Sequence, residues 1–71
     1  MDEVLLALAE VARIMGESAD GEIEALTREA ERLTDAGQDD QAATWRRVAD
    51  CTRERRDAWV RLGAAAERAG R

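Results

Sequence analysis

The chain has 71 residues and a net charge of −5 at neutral pH, with one cysteine, no histidine and no proline. A single cysteine excludes an intramolecular disulfide. Without histidine a zinc site is not expected, because structural zinc sites are built from cysteine, histidine and carboxylate ligands. A chain of this length forms one small domain, residues 1–71, and small domains commonly need a partner for stability.

Alanine, glutamate, arginine and leucine fill most of the chain, which is the composition of an all-α protein. The apolar runs are far shorter than the ~20 residues that span a membrane. The first residues lack the basic region of a signal peptide. We therefore expect a cytoplasmic protein, a location that also suits a lone thiol.

The first predicted helix covers about residues 2–15, and Asp2 is placed to cap it. Apolar side chains cover more than half of its surface, so we expect it to be buried on more than one side. Its main stripe consists of Val4, Leu8, Val11 and Met15. Gly16 then predicts the end of the helix, and a loop follows as far as about Ser18.

The second predicted helix covers about residues 19–36 and is amphipathic. Its apolar residues have the 3-4-3 spacing of a narrow coiled-coil seam. These residues are Ile23, Leu26, Ala30 and Leu33. Its outer face is predicted to be acidic, with Glu22, Glu24, Glu29, Glu31 and Asp35.

Gly37 ends the second helix, and the third runs over about residues 40–69, which predicts an antiparallel helical hairpin with a long third helix. Its predicted seam consists of Trp45, Val48, Thr52, Arg55, Trp59, Leu62, Ala66 and Ala69. Because the third helix is much longer than the second, the part beyond about Arg56 overhangs. Either the first helix or another chain must cover that overhang. We favour a three-helix arrangement whose bundle is completed by dimerisation.

Arg55 falls on this predicted seam, where two interpretations are open. The side chain can lie along the edge of the core and extend its guanidinium group into water. Alternatively, it can form a buried pair with a carboxylate and so fix the alignment of the helices or the choice of partner.

Catalytic chemistry is not expected, because the chain has no histidine, tyrosine, lysine or glycine-rich phosphate loop. We predict no catalytic, metal or cofactor-binding residue. The expected function is that of a non-catalytic protein–protein interaction module, with a homodimer or another protein as partner and neither membrane nor small-molecule substrate. The predicted interface residues are Leu5, Leu8, Trp45, Arg55, Trp59, Val60 and Leu62.

Two alternatives follow from the charge distribution, which is −9 over residues 1–40 and +4 over residues 41–71. The acidic face of the second helix could mimic nucleic acid, as in a small phage-encoded inhibitor of a nucleic-acid-handling complex. The arginine-rich third helix could instead bind nucleic acid. Asp50, Glu54 and Asp57 interrupt its arginines, however, and would repel phosphate.

Residues 36–49 contain a turn with Gly37 and Asp39, followed by Trp45 and the pair Val48-Ala49. This stretch resembles short uncharacterised helical proteins of alphaproteobacteria, although Gln38 interrupts their Gly-Asp step. The resemblance implies a bacterial or phage source. It implies no activity and no functional residues.

Overall fold

A computed structural model describes residues 2–71, so only Met1 of the predicted domain lies outside it. The described chain is all-α, as predicted, and consists of two helices, α1 (Glu3–Asp35) and α2 (Asp39–Ala69). The two helices pack side by side as a hairpin with extents of 54 × 14 × 11 Å. This length matches that of a single helix of 33 residues, about 50 Å at 1.5 Å per residue.

The ends of α1 are closed by the residues that the sequence marks for that role. Asp2 Oδ1 accepts hydrogen bonds from the Val4 and Leu5 amides at 3.0 and 3.1 Å. At the other end Gly37 has φ +76°, and the Gly37 and Gln38 amides donate to the carbonyls of Thr34 and Leu33. This pair of bonds is a Schellman motif. The prediction that Gly37 ends the helix is confirmed.

The prediction of three helices is wrong, because residues 16–21 continue α1 without a break. A glycine inside a helix costs about 1 kcal/mol relative to alanine. That cost is offset here by packing, since Gly16 and Ala19 are both buried against α2. A Cβ at position 16 would lie 3.8 Å from Val60 Cγ2. Contact with the second helix therefore overrides the local preference for a turn.

The predicted overhang, and with it the need for a second chain to complete the bundle, is also wrong. Because α1 is continuous, it lies along α2 to the end of that helix. The Asp2 amide donates to the Gly70 carbonyl at 2.9 Å, which joins the two free ends of the hairpin. The helix pair is thus completed within one chain.

Small side chains form most of the seam between the helices. The buried residues are Ala12, Gly16, Ala19, Ala30 and Leu33 in α1, and Ala42, Ala49, Thr52 and Ala66 in α2. They are three, four, seven, eleven or fourteen residues apart, separations that are all made of steps of three and four, as in the heptad repeat of a coiled coil. The α1 seam is confirmed, since Ala30 and Leu33 are buried and Ile23 and Leu26 are half-buried.

The α2 seam is confirmed only in part. Thr52 and Ala66 are buried, but Val48 and Leu62 are 42% and 43% exposed. The neighbouring row, which includes Ala42, Ala49, Gly63 and Gly70, faces α1 instead. Small residues allow close helix packing but give little hydrophobic signal in the sequence, so the pattern of large apolar residues predicts a seam one row away from the true one.

Candidate interaction surfaces

The ion pair between Arg55 and Glu22 shows which side chains lie together on one side of the hairpin. Arg55 Nη2 donates to Glu22 Oε2 at 2.7 Å, and both side chains are more than half exposed. Met15 lies one heptad before Glu22, and Leu62 lies one heptad after Arg55. Because residues seven apart lie in the same row of a coiled coil, Met15 and Leu62 are on the side of the hairpin where this ion pair forms.

This side carries an apolar surface, which we call the apolar face. Its α1 residues are Val4, Leu8, Val11 and Met15, and its α2 residues are Val48, Cys51, Ala58, Leu62 and Ala65. Several large side chains in it are open to solvent, with Val4 78% and Val11 49% exposed. The predicted stripe of the first helix is therefore present, but α2 packs against the two neighbouring rows, which contain the buried residues Ala12 and Gly16.

The opposite side of the hairpin contains a groove between the helices. On this side Arg46 Nη2 donates to Thr34 Oγ1 at 2.8 Å. This bond joins a row of α1 to a row of α2 on the side opposite the Arg55–Glu22 ion pair. The apolar lining of the groove consists of Leu6, Ala9, Ala12, Gly16, Trp59, Val60, Gly63 and Ala64. Six charged residues complete it: Glu10, Arg13, Glu17, Asp20, Glu67 and Arg71.

A row of exposed glutamates runs along the α1 edge of this groove. Its members are Glu3, Glu10, Glu17, Glu24 and Glu31, one in each heptad. Arg13 bridges two of them, binding Glu10 through two nitrogens and Glu17 Oε1 at 2.7 Å. The hydrogen bonds from Arg13 lower the pKa of Glu10, and those to Glu10 and Glu17 raise the pKa of Arg13.

The predicted interface residues do not form a single surface. Three lie on the side of the apolar face: Leu8, Arg55 and Leu62. Two line the groove on the opposite side: Trp59 and Val60. The remaining two are in seam rows: Leu5, which is half-buried, and Trp45, which is 38% exposed. Arg55 is part of an exposed ion pair rather than a buried one.

The predicted acidic face is likewise divided between two sides of α1. Glu22 and Glu29 are in the row that continues Met15, whereas Glu24 and Glu31 belong to the row of glutamates beside the groove. Three of the five predicted acidic residues form salt bridges with arginine: Glu22 with Arg55, Glu24 with Arg28, and Glu29 with Arg32. The hydrogen bonds from Arg32 lower the pKa of Glu29.

Three of the arginines of α2, Arg53, Arg55 and Arg56, are bound to carboxylates of the same chain. Arg53 binds Asp50 at 2.7 Å, and Arg56 binds Asp20 at 2.6 Å and Asp57 at 2.7 Å. Hydrogen bonds to Asp20 and, with a smaller effect, to Asp57 raise the pKa of Arg56. The Arg56–Asp20 pair joins the two helices, so this part of the cluster contributes to the hairpin itself.

Sequence reasoning missed the groove and the row of glutamates beside it. The seven-residue spacing of the glutamates is visible in the sequence and could have identified the row. The groove gave no comparable signal, because its floor is alanine and glycine. It forms only when these small residues meet across the helix pair.

Within residues 2–71, no group of three or more cysteine, aspartate or glutamate side chains is placed to hold a metal ion. Over the same residues, neither helix combines the length and the apolar character needed to cross a bilayer. No protein family, curated protein or solved structure matches the chain.

Proposed function

We propose that the chain is a non-catalytic protein–protein interaction module, a small cytoplasmic adaptor, regulator or assembly element of bacterial or phage origin, which acts through its apolar face. The observation that carries the proposal is the exposure of Val4, Val11 and Leu62 in a hairpin whose seam is already complete. Contiguous exposed apolar surface on a small protein is typical of an interaction site.

The partner that we propose for this face is a second copy of the chain. Homo-oligomers of soluble proteins are mostly two-fold dimers, in which the same surface of each copy meets the other. Each large aliphatic side chain that becomes fully buried contributes roughly 1.5–3 kcal/mol. Association through the apolar face would bury such side chains without any change in the hairpin.

The two nucleic-acid alternatives receive less support from the contacts. The acidic residues proposed as a mimic lie on two sides of α1, and Glu22, Glu24 and Glu29 are already paired with arginine. Several arginines of α2 are also paired with carboxylates. A duplex-binding measurement at low salt tests the second alternative directly, since phosphate contacts are strongest there.

The proposal is tested by measuring molar mass in solution by light scattering, at several concentrations, for the wild type and for the Val11→Glu/Leu62→Glu double variant. Both side chains are close to half exposed, so charges there should disturb association and leave the fold intact. We expect the wild type to approach twice 7.8 kDa and the double variant to remain at 7.8 kDa.

Val60→Glu is the matched control, because Val60 is 57% exposed but lies on the opposite side. Its mass should follow that of the wild type, and all variants should have the same helical circular dichroism. A wild type that stays monomeric at every concentration would overturn self-association. If the wild type associates and the double variant has the same mass, the apolar face is not the interface.

A further inference from the structure

The groove is a second apolar surface that the proposed dimer leaves free. Its floor is made of small residues, including Ala12, Gly16 and Gly63. Leu6, Trp59 and Val60 add larger apolar groups to its lining, and Val60 is 57% exposed. The result is an apolar channel on the side of the hairpin away from the apolar face.

The shape of the groove favours an elongated occupant. Its α1 lining extends from Leu6 to Asp20, which is about 20 Å along the helix, or roughly four turns. The groove is partly open to solvent. A partner helix laid along it could insert apolar side chains from successive turns, as in helix-in-groove recognition.

Charge specifies the chemistry of that occupant. The six charged residues of the lining are four carboxylates and two arginines. Each of these carboxylates is bound by an arginine: Glu10 and Glu17 by Arg13, Asp20 by Arg56, and Glu67 by Arg71. Because Arg13 is shared between two glutamates, four carboxylates meet three arginines and the rim keeps a negative excess. The row of exposed glutamates continues this edge, with Glu3 before the groove and Glu24, which Arg28 binds, beyond it. Its members are about 10 Å apart, which is one heptad of a helix.

We propose that the groove binds an amphipathic helix of a partner protein that carries arginine or lysine at seven-residue intervals along the flank nearest α1. Apolar side chains of this helix would contact Trp59 and Val60, while its basic side chains would meet the row of glutamates. This inference rests on the proposed function, because it names the partner of a second surface on the same interaction module.

A second copy of the chain fits this groove less well. Its α2 offers Arg61 and Arg68 one heptad apart beside Leu62, but Glu54 occupies the next position of that row and would face glutamate. A contact between the groove of one copy and a different surface of another would also be open-ended, and would not by itself close into a dimer.

The test uses the full chain with Trp45→Phe, so that Trp59 in the groove is the only tryptophan. Its fluorescence is titrated with two synthetic helical peptides that share one leucine seam and differ only in carrying arginine or glutamate at the heptad flank. We expect saturable binding of the arginine peptide, with the glutamate peptide about tenfold weaker or more, and weaker binding as salt is raised.

Two further variants separate the groove from the apolar face in the same titration. Val60→Glu should abolish binding of the arginine peptide, whereas Val11→Glu on the opposite side should leave it unchanged. Glu10→Gln/Glu17→Gln should weaken it and reduce its salt dependence. Each variant is accepted only with wild-type helicity, so that a loss of binding is not a loss of fold.

No binding, equal binding of both peptides, or binding that Val60→Glu leaves intact would overturn the inference. Light scattering on Val60→Glu tests whether a second copy of the chain occupies the groove instead. If Val60→Glu lost self-association, the groove would be the dimer interface, and the inference of a partner helix would also be overturned. The proposed function has its own contradicting results. It is wrong if the wild type remains monomeric or if the Val11→Glu/Leu62→Glu variant associates normally.

Discussion

Gly63 lies so close to Ala12 that a Cβ added to the glycine would be only 3.1 Å from the alanine Cβ. The Ala9 carbonyl oxygen would be 3.7 Å from the same atom. Ala12 is 1% exposed and its methyl group has no rotamer by which to move away. The close approach of the two helices at this point therefore depends on the absence of a side chain at position 63.

This contact predicts opposite effects for two glycine substitutions. Gly21 has nothing within 4 Å of its added Cβ, so Gly21→Ala should stabilise the hairpin by about 1 kcal/mol through helix propensity alone. Gly63→Ala has the same propensity gain but forces the helices apart, an overpacking cost of about 1–3 kcal/mol. Denaturant unfolding should show Gly63→Ala to be the less stable variant. Equal gains in both would mean that the helices separate there without cost.

The main outline of the fold could be predicted because local chemistry encodes it. Gly37 and the capping residue Asp2 have the roles that their residue types favour, and the spacing of Ile23, Leu26, Ala30 and Leu33 identified the α1 seam. The continuity of α1 could not be predicted in this way. It depends on Gly16 and Ala19 packing against α2, and a contact between distant residues leaves no local signal.

The continuity of α1 predicts that proline will not be tolerated between the two glycines. Ser18 is exposed, so Ser18→Pro loses little packing but removes a helical hydrogen bond and clashes with the preceding turn. We expect a loss of about 3 kcal/mol in the free energy of unfolding, measured by urea titration.

Asp39→Pro is the control for that substitution, because Asp39 is the first residue of α2, where proline is accepted. It should change the stability far less than Ser18→Pro. If Ser18→Pro were instead as stable as the wild type, residues 16–21 would be a turn, and the chain would have the three helices that the sequence suggested.

Of the candidate surfaces, the part carried by large side chains could be predicted, and the part formed by small ones could not. The stripe from Val4 to Met15 indicated a helix with more apolar surface than one partner covers, and that excess forms the apolar face. Trp59 and Val60 were identified as interface residues, but their shared position in a groove depends on Gly63 and its small neighbours in α1.

The turn between the helices predicts a specific dependence on glycine. Gly37 has φ +76°, a conformation that costs an L-residue with a Cβ roughly 1–2 kcal/mol. Gly37→Ala should therefore lower the free energy of unfolding by about 1 kcal/mol, and Gly37→Asn by less, since asparagine tolerates this conformation better. Gln38→Ala is the control, because the Gln38 side chain makes no capping bond and its loss should have little effect. A Gly37→Ala variant with wild-type stability would contradict the Schellman geometry.

Acid should destabilise the hairpin in a defined pH range. The pKa values of Glu10 and Glu29 are lowered by hydrogen bonds from Arg13 and Arg32. A carboxyl group whose pKa is lower in the folded than in the unfolded chain stabilises the fold fully above its unfolded pKa, about 4.3 for glutamate. That stabilisation is lost as the pH falls through the folded value. With no histidine in the chain, we expect the melting temperature to be constant between about pH 5.5 and 7 and to fall below about pH 4.

The Glu10→Gln/Glu29→Gln double variant checks the assignment. It removes the two carboxylates whose pKa values are lowered, so its melting temperature should fall less steeply in acid than that of the wild type. Glu31→Gln/Glu54→Gln changes the net charge by the same amount and should keep the steeper wild-type profile. Identical profiles for the two double variants would mean that general charge repulsion, rather than the bonds to Arg13 and Arg32, governs unfolding in acid.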